Sequence, residues 1–111
     1  MSLTTAGKNI ALDALVITQA RLHTGDPTDA GTANQVTGGT YAPQSIAFSA
    51  ATGGARDSSS QPVFDIPGGT TVSHYSLWAG GTCVDKGALS AAEAFAADGQ
   101  YTLTDADISL T

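Results

Sequence analysis

A switch of hydrophobic period near Val16 constrains this chain more than any other feature. Leu3, Ala6, Ile10, Ala14 and Ile17 recur at spacings of three and four, which places them on one helical face. Thr4 or Thr5 can offer an N-cap oxygen to the first free amides, Gly7 falls in the first turn, and no proline interrupts the run. The spacing predicts a helix over about residues 4–15. From Val16 onward, Ala20 and Leu22 alternate with Arg21 and His23, the pattern of a half-buried strand with His23 on its polar side. Leu22-His23-Thr24-Gly25-Asp26-Pro27 ends that strand, because Pro27 has no amide to give to a ladder and Gly25 tolerates a turn.

Beyond Pro27 the chain reads as short strands separated by Gly, Ser, Thr and Pro. The stretch to about Gly39 has only Val36 as a large apolar residue and reads as a long surface loop. Ile46 with Phe48, and Phe64 with Ile66, alternate with smaller or polar residues as strands do. Between Thr70 and Trp78, Ser73, Tyr75 and Leu77 share one face, and Val72, His74, Ser76 and Trp78 the other. Large residues on both faces mark a central strand. Further strands are expected over Thr82–Leu89, Gln100–Leu103 and Ala106–Leu110, with Asp98-Gly99 as a hairpin turn. No strand–helix–strand alternation supports a parallel sheet. The expected fold is mainly β, a small antiparallel β-sandwich or barrel carrying one N-terminal α-helix, with residues 1–111 forming a single domain.

Charge narrows the partners. Four basic residues stand against ten acidic ones, for a net charge of −6, and Lys8, Arg21, Arg56 and Lys86 are scattered. Neither a phosphate backbone nor an anionic membrane surface is met by such a distribution. Charged residues make up 13% of the chain, against about 25% in typical domains. A surface of Ser, Thr, Ala and Gly is cheap to desolvate, which suits wide protein–protein contact. Cys83 stands alone, so no internal disulfide forms. No apolar run reaches the length of a membrane span, and the N-terminus lacks a signal-peptide pattern, so synthesis in the cytoplasm is expected.

Signals for chemistry are sparse. His23 and His74 are the histidines, and no Gly-x-Ser-x-Gly elbow aims a serine at either. Asp105 with Asp107, and Asp26 with Asp29, offer two carboxylates each, fewer than calcium requires. The paired glycines read as turns, since none opens a helix followed by Lys-Ser or Lys-Thr. No catalytic, metal or cofactor residue is assigned, and no enzyme activity is expected. The contact candidates are Thr24, Asp26, Asp29, Tyr41, His74 and Trp78, with Trp78 as the aromatic expected to be exposed at an interface. The loops at about 24–41 and 52–61, together with an open sheet edge, are expected to meet neighbouring subunits.

An ordered set of segments resembles a family of small bacteriophage virion proteins, usually described as phage tail-fibre or minor tail proteins. The likeness begins at Leu3-Thr4-Thr5-Ala6-Gly7-Lys8-Asn9 and Leu12-Asp13-Ala14-Leu15. It continues through Leu22-His23-Thr24-Gly25-Asp26-Pro27, Gly38-Gly39-Thr40-Tyr41-Ala42, Pro62-Val63-Phe64 and Pro67-Gly68-Gly69-Thr70-Thr71-Val72-Ser73-His74. Trp78 and Gly99-Gln100-Tyr101-Thr102-Leu103-Thr104-Asp105-Ala106-Asp107 complete it. Pro43-Gln44 and Cys83 depart from the pattern. The resemblance implies a non-enzymatic virion part near the tail tip or fibres, in contact with other virion proteins as a homo-oligomer or as lattice-bound copies. Capsid decoration and a receptor- or carbohydrate-binding module are the alternatives it leaves open.

Overall fold

Thr4 caps the only helix among the described residues. Its Oγ1 accepts the Gly7 amide at 3.1 Å, and its carbonyl accepts the Lys8 amide. In this computed structural model, which describes residues 2–104 and 106–109, α1 spans Thr5–Asp13, slightly inside the expected bounds.

The helix faces the opposite way from its sequence pattern. Leu12 is its buried residue, whereas Ile10 is 72% exposed and Leu3 39%. Polar bonds set this orientation. Asn9 Oδ1 accepts the Gly54 amide at 2.9 Å, and Asp13 Oδ1 accepts the Ala51 amide at 2.8 Å. Arg56 donates to the carbonyls of Leu12 and Leu15 at 3.0 and 2.8 Å, clamping the last turn of the helix and the residues just after it; the Leu12 carbonyl also accepts the Leu15 amide. The stripe of Leu3, Ala6, Ile10 and Ala14 is therefore turned to solvent, so the apolar face read from the spacing is not the face that packs.

The strands are β1 (Gln19–His23), β2 (Gln44–Ser45), β3 (Ala55–Arg56), β4 (Val63–Ile66), β5 (Thr70–Ala79), β6 (Thr82–Phe95), β7 (Gly99–Thr102) and β8 (Ile108–Ser109). All pairings are antiparallel. One sheet has the order β2-β1-β5-β6, while β4 pairs with β7 and β3 with β8. The expected small, mainly-β architecture with one N-terminal helix is present, and β5 lies centrally as its two-faced pattern requires. Phe48 makes an isolated bridge to Ser58 instead of extending a strand. Asp98 lies in a connection between strands of different ladders, so the expected hairpin turn is absent. Its carboxylate accepts the Gly68 amide at 2.8 Å.

The principal core forms where Ala20, Leu22, Leu77 and Tyr75 on one face of the large sheet meet Phe64, Ile66 and Leu103. Val63–Ile66 alternates exposed and buried, with Phe64 and Ile66 inward. Burying side chains of this size stabilises the fold by about 1.5–3 kcal/mol each. β6 is longer than expected because Ser90–Phe95, an Ala-rich stretch, continues the strand.

Candidate functional site

The opposite face of the large sheet carries the polar groups. Antiparallel pairing sets His23 across from His74, Arg21 across from Ser76 and Gln19 across from Trp78. Instead of a second sheet, the loop between β1 and β2 covers this face. Thr24 opens it, with its amide and hydroxyl both donating to the Asn34 carbonyl, at 2.8 and 3.2 Å. The Val36 amide returns to the Leu22 carbonyl, and Val36 itself is buried.

His23 belongs to this cover's inner layer, although the sequence placed it at the surface. It is fully buried. Nδ1 lies 2.9 Å from the Ala33 carbonyl and Nε2 lies 2.7 Å from Ser76 Oγ. A carbonyl can only accept, so Nδ1 carries the proton and Nε2 accepts from the Ser76 hydroxyl. Ser76 Oγ in turn accepts the Trp78 indole N–H at 2.8 Å. Every polar atom of this set is satisfied only with a neutral imidazole. Burial pushes the His23 pKa below its ordinary value, and the Arg21 and His74 charges act the same way, against the Ala33 bond.

The Ser76–His23 contact has the form of a nucleophile and base, yet neither residue has exposed surface and the imidazole is oriented by a carbonyl instead of a carboxylate. It is a structural relay from loop to sheet. Trp78 is 5% exposed, so the expectation of an exposed aromatic is corrected: the indole is a core anchor, with the Arg21 guanidinium 3.9 Å from its ring centroid.

The loop is fastened at its other points as well. Gly31 has φ +72°, and a Cβ there would lie 2.6 Å from Cys83 Sγ and 2.8 Å from Trp78 Cζ2. Asp26 Oδ1 accepts the Thr28 amide at 2.9 Å and pairs with Lys86 Nζ at 2.8 Å. That Lys86 bond holds the exposed Asp26 carboxyl below its usual range, and Asp26 raises Lys86 in return. Tyr41 is half-buried; its hydroxyl accepts the Leu22 amide at 3.1 Å, and its ring stacks on Phe64. Burial pushes its phenol upward.

Thr24, Asp26 and Asp29 thus lie together on the exposed rim of the cover, while Tyr41 and Trp78 support it from within. His74 is half-buried, its Nδ1 2.8 Å from Ser73 Oγ. Asp29 borders a shallow recess lined by Cys83, Val84, Asp85 and Lys86. Burial raises the pKa of Asp85 and of Cys83. Among the described residues no group of three His, Cys, Asp or Glu converges to hold a metal ion. The Asp105–Asp107 pair lies partly outside the described residues. Sequence reading missed the His23–Ser76–Trp78 relay, whose only signal was a histidine beside apolar strand positions, and the Arg56 clamp on α1.

Residues 5–111 match the model of a family described as podophage GP4 fiber I protein gp80. The chain belongs to this family. The match runs from the first helical residue through the last strand, so the loop cover, the buried relay and the sheet edge all lie within the fibre-protein region. The resemblance to phage tail-fibre proteins read from the sequence agrees with it. No curated protein and no solved structure matches the chain significantly. No helix among the described residues is long and apolar enough to cross a membrane.

Proposed function

We propose that this chain is a non-enzymatic structural subunit of a podophage tail fibre, held in the virion by contacts with other tail proteins. The observation that carries the reading is the family match over nearly the whole chain. The polar face supports it physically. A loop whose backbone is tied to the sheet by Ala33, Asn34 and Val36 presents Thr24, Asp26 and Asp29 as a fixed rim. A preorganised rim loses little entropy when a neighbour docks on it. The low charge density of the chain keeps the desolvation cost of such a contact small.

Catalysis finds no support in the same geometry, because the Ser–His contact is sealed from substrate. The subunit functions as an oligomer in contact with tail neighbours near the fibre or tip, and host-cell synthesis precedes its assembly into particles. Capsid decoration, the other location considered, draws on no feature of the family match. Quantifying the chain by peptide mass spectrometry in separated head and tail fractions tests the reading. Enrichment with tails is the expected outcome; recovery with heads would overturn it.

A further inference from the structure

The long strand β6 is paired on one side only. Its neighbour is β5, and no other strand among the described residues joins its second edge. An edge of this length is a template for another strand, and monomeric proteins usually blunt such edges with charges or bulges. Here the bulge has a different consequence. Val72 pairs with Glu93 and His74 with Ala88, so Leu89, Ser90, Ala91 and Ala92 stand opposite Ser73 alone.

In a regular strand, residues separated by an odd number of positions point to opposite faces. Lys86 and Glu93 are separated in that way, yet Lys86 is opposite Ser76 and Glu93 opposite Val72, which share one face of β5. The bulge has brought a positive and a negative side chain to the same face of one free edge, with Gly, Ala and Ser prominent between them. Side-chain face and backbone direction alternate together along a strand, so these two residues also turn their backbone groups to the same side.

We infer that two copies of this chain pair antiparallel through their β6 edges, with Lys86 of each copy opposite Glu93 of the other. The register is self-complementary, as an isologous two-fold contact requires. Measured along β5, Lys86 and Glu93 are opposite Ser76 and Val72, with Ala88, opposite His74, midway between them, so the two alanines meet at the two-fold axis and are small enough for close approach. Ser90 through Ala94 are exposed, and Ser90, Ala91 and Ala92 have no partner on β5, so this part of the edge is open to a second copy. Lys86 Nζ already donates to Asp26, and an ammonium retains further donors for a carboxylate across the new ladder. A single added strand pair falls below the roughly 1,600 Å² of a standard stable interface. The association is therefore weak in dilute solution and strengthened where neighbours are held together in a fibre. The inference rests on the reading of the chain as an assembly part, but its test uses the isolated protein.

Sedimentation equilibrium of the purified chain over a wide concentration range, with Lys86→Glu and Glu93→Lys, decides the matter. The wild type forms a concentration-dependent dimer. Each single variant remains folded by circular dichroism and dimerises about ten- to a hundredfold more weakly, because two facing opposite-charge pairs become like-charge pairs. Mixing the two variants restores association as a heterodimer, and amides between Asp85 and Ala94 gain hydrogen-exchange protection on pairing. A wild type that stays monomeric, a dimer indifferent to both substitutions, or a mixture that fails to recover association would overturn the proposal. Recovery with heads in the fractionation above would reject the fibre reading while leaving this edge contact standing, so the two failures are distinguishable.

Discussion

Nε2 of His23 lies 2.7 Å from the hydroxyl oxygen of Ser76, and that hydroxyl also accepts the Trp78 indole N–H. One oxygen thus joins the end of β1 to the middle of β5, while the other imidazole nitrogen holds the covering loop through Ala33. A rigid polar face on this protein depends on a buried group that must remain uncharged.

Acid should loosen that face. Because the folded state lowers the His23 pKa, the unfolded chain takes up the proton first as pH falls. The contribution of His23 to stability is complete above the unfolded pKa of about 6.5 and is lost progressively below it, toward the lower folded value. Thermal unfolding between pH 8 and pH 5 should show a falling Tm, and His23→Gln should flatten that slope. An unchanged slope in the variant would remove His23 as its source.

Ser76→Ala deletes the single oxygen that serves two buried partners. Leaving Trp78 Nε1–H and His23 Nε2 unsatisfied should cost on the order of 2–4 kcal/mol in denaturant unfolding. A loss below about 0.5 kcal/mol, the usual size for surface changes, would contradict the relay.

The orientation of α1 is testable by contrast. Leu12→Ala should cost about 2–5 kcal/mol as a buried truncation, while Ile10→Ala, at a 72% exposed site, should change stability by under about 0.5 kcal/mol. The reverse ranking would restore the inward stripe that the sequence pattern suggests.

Gly31 and Gly53 separate strain from crowding. Both have positive φ, at +72° and +61°, but only Gly31 has neighbours in the space that a Cβ would fill. Gly31→Ala should destabilise by about 1–3 kcal/mol more than Gly53→Ala, the range for forcing extra volume into a packed site. Equal costs would mean that the loop does not press on Cys83 and Trp78.

Much of the fold was legible because period 2 is hard to disguise. Val63–Ile66 and Thr70–Ala79 appear with the faces that their residues require. The helix was legible as an element but not in its orientation, since Asn9, Asp13 and Arg56 act on residues distant in sequence and leave no periodic trace. Ser90–Phe95 was missed because alanine carries no strand signal, and the register with β5 resumes only at Glu93, after a bulge that no periodic pattern announces. Removing residues 28–37, at first sight a harmless loop excision, would strip Ala33 from His23 and remove the buried Val36. The candidate rim was thus readable as a loop, whereas its rigidity was a tertiary property.

The most direct test of the central claim is density for the tail fibre in intact particles at a resolution that traces β-strands. A body with the β2-β1-β5-β6 sheet, its polar face covered by the loop after His23 and its rim against a tail neighbour, is the predicted result. The same body seated on the capsid lattice, or absent from the fibre, would contradict the account.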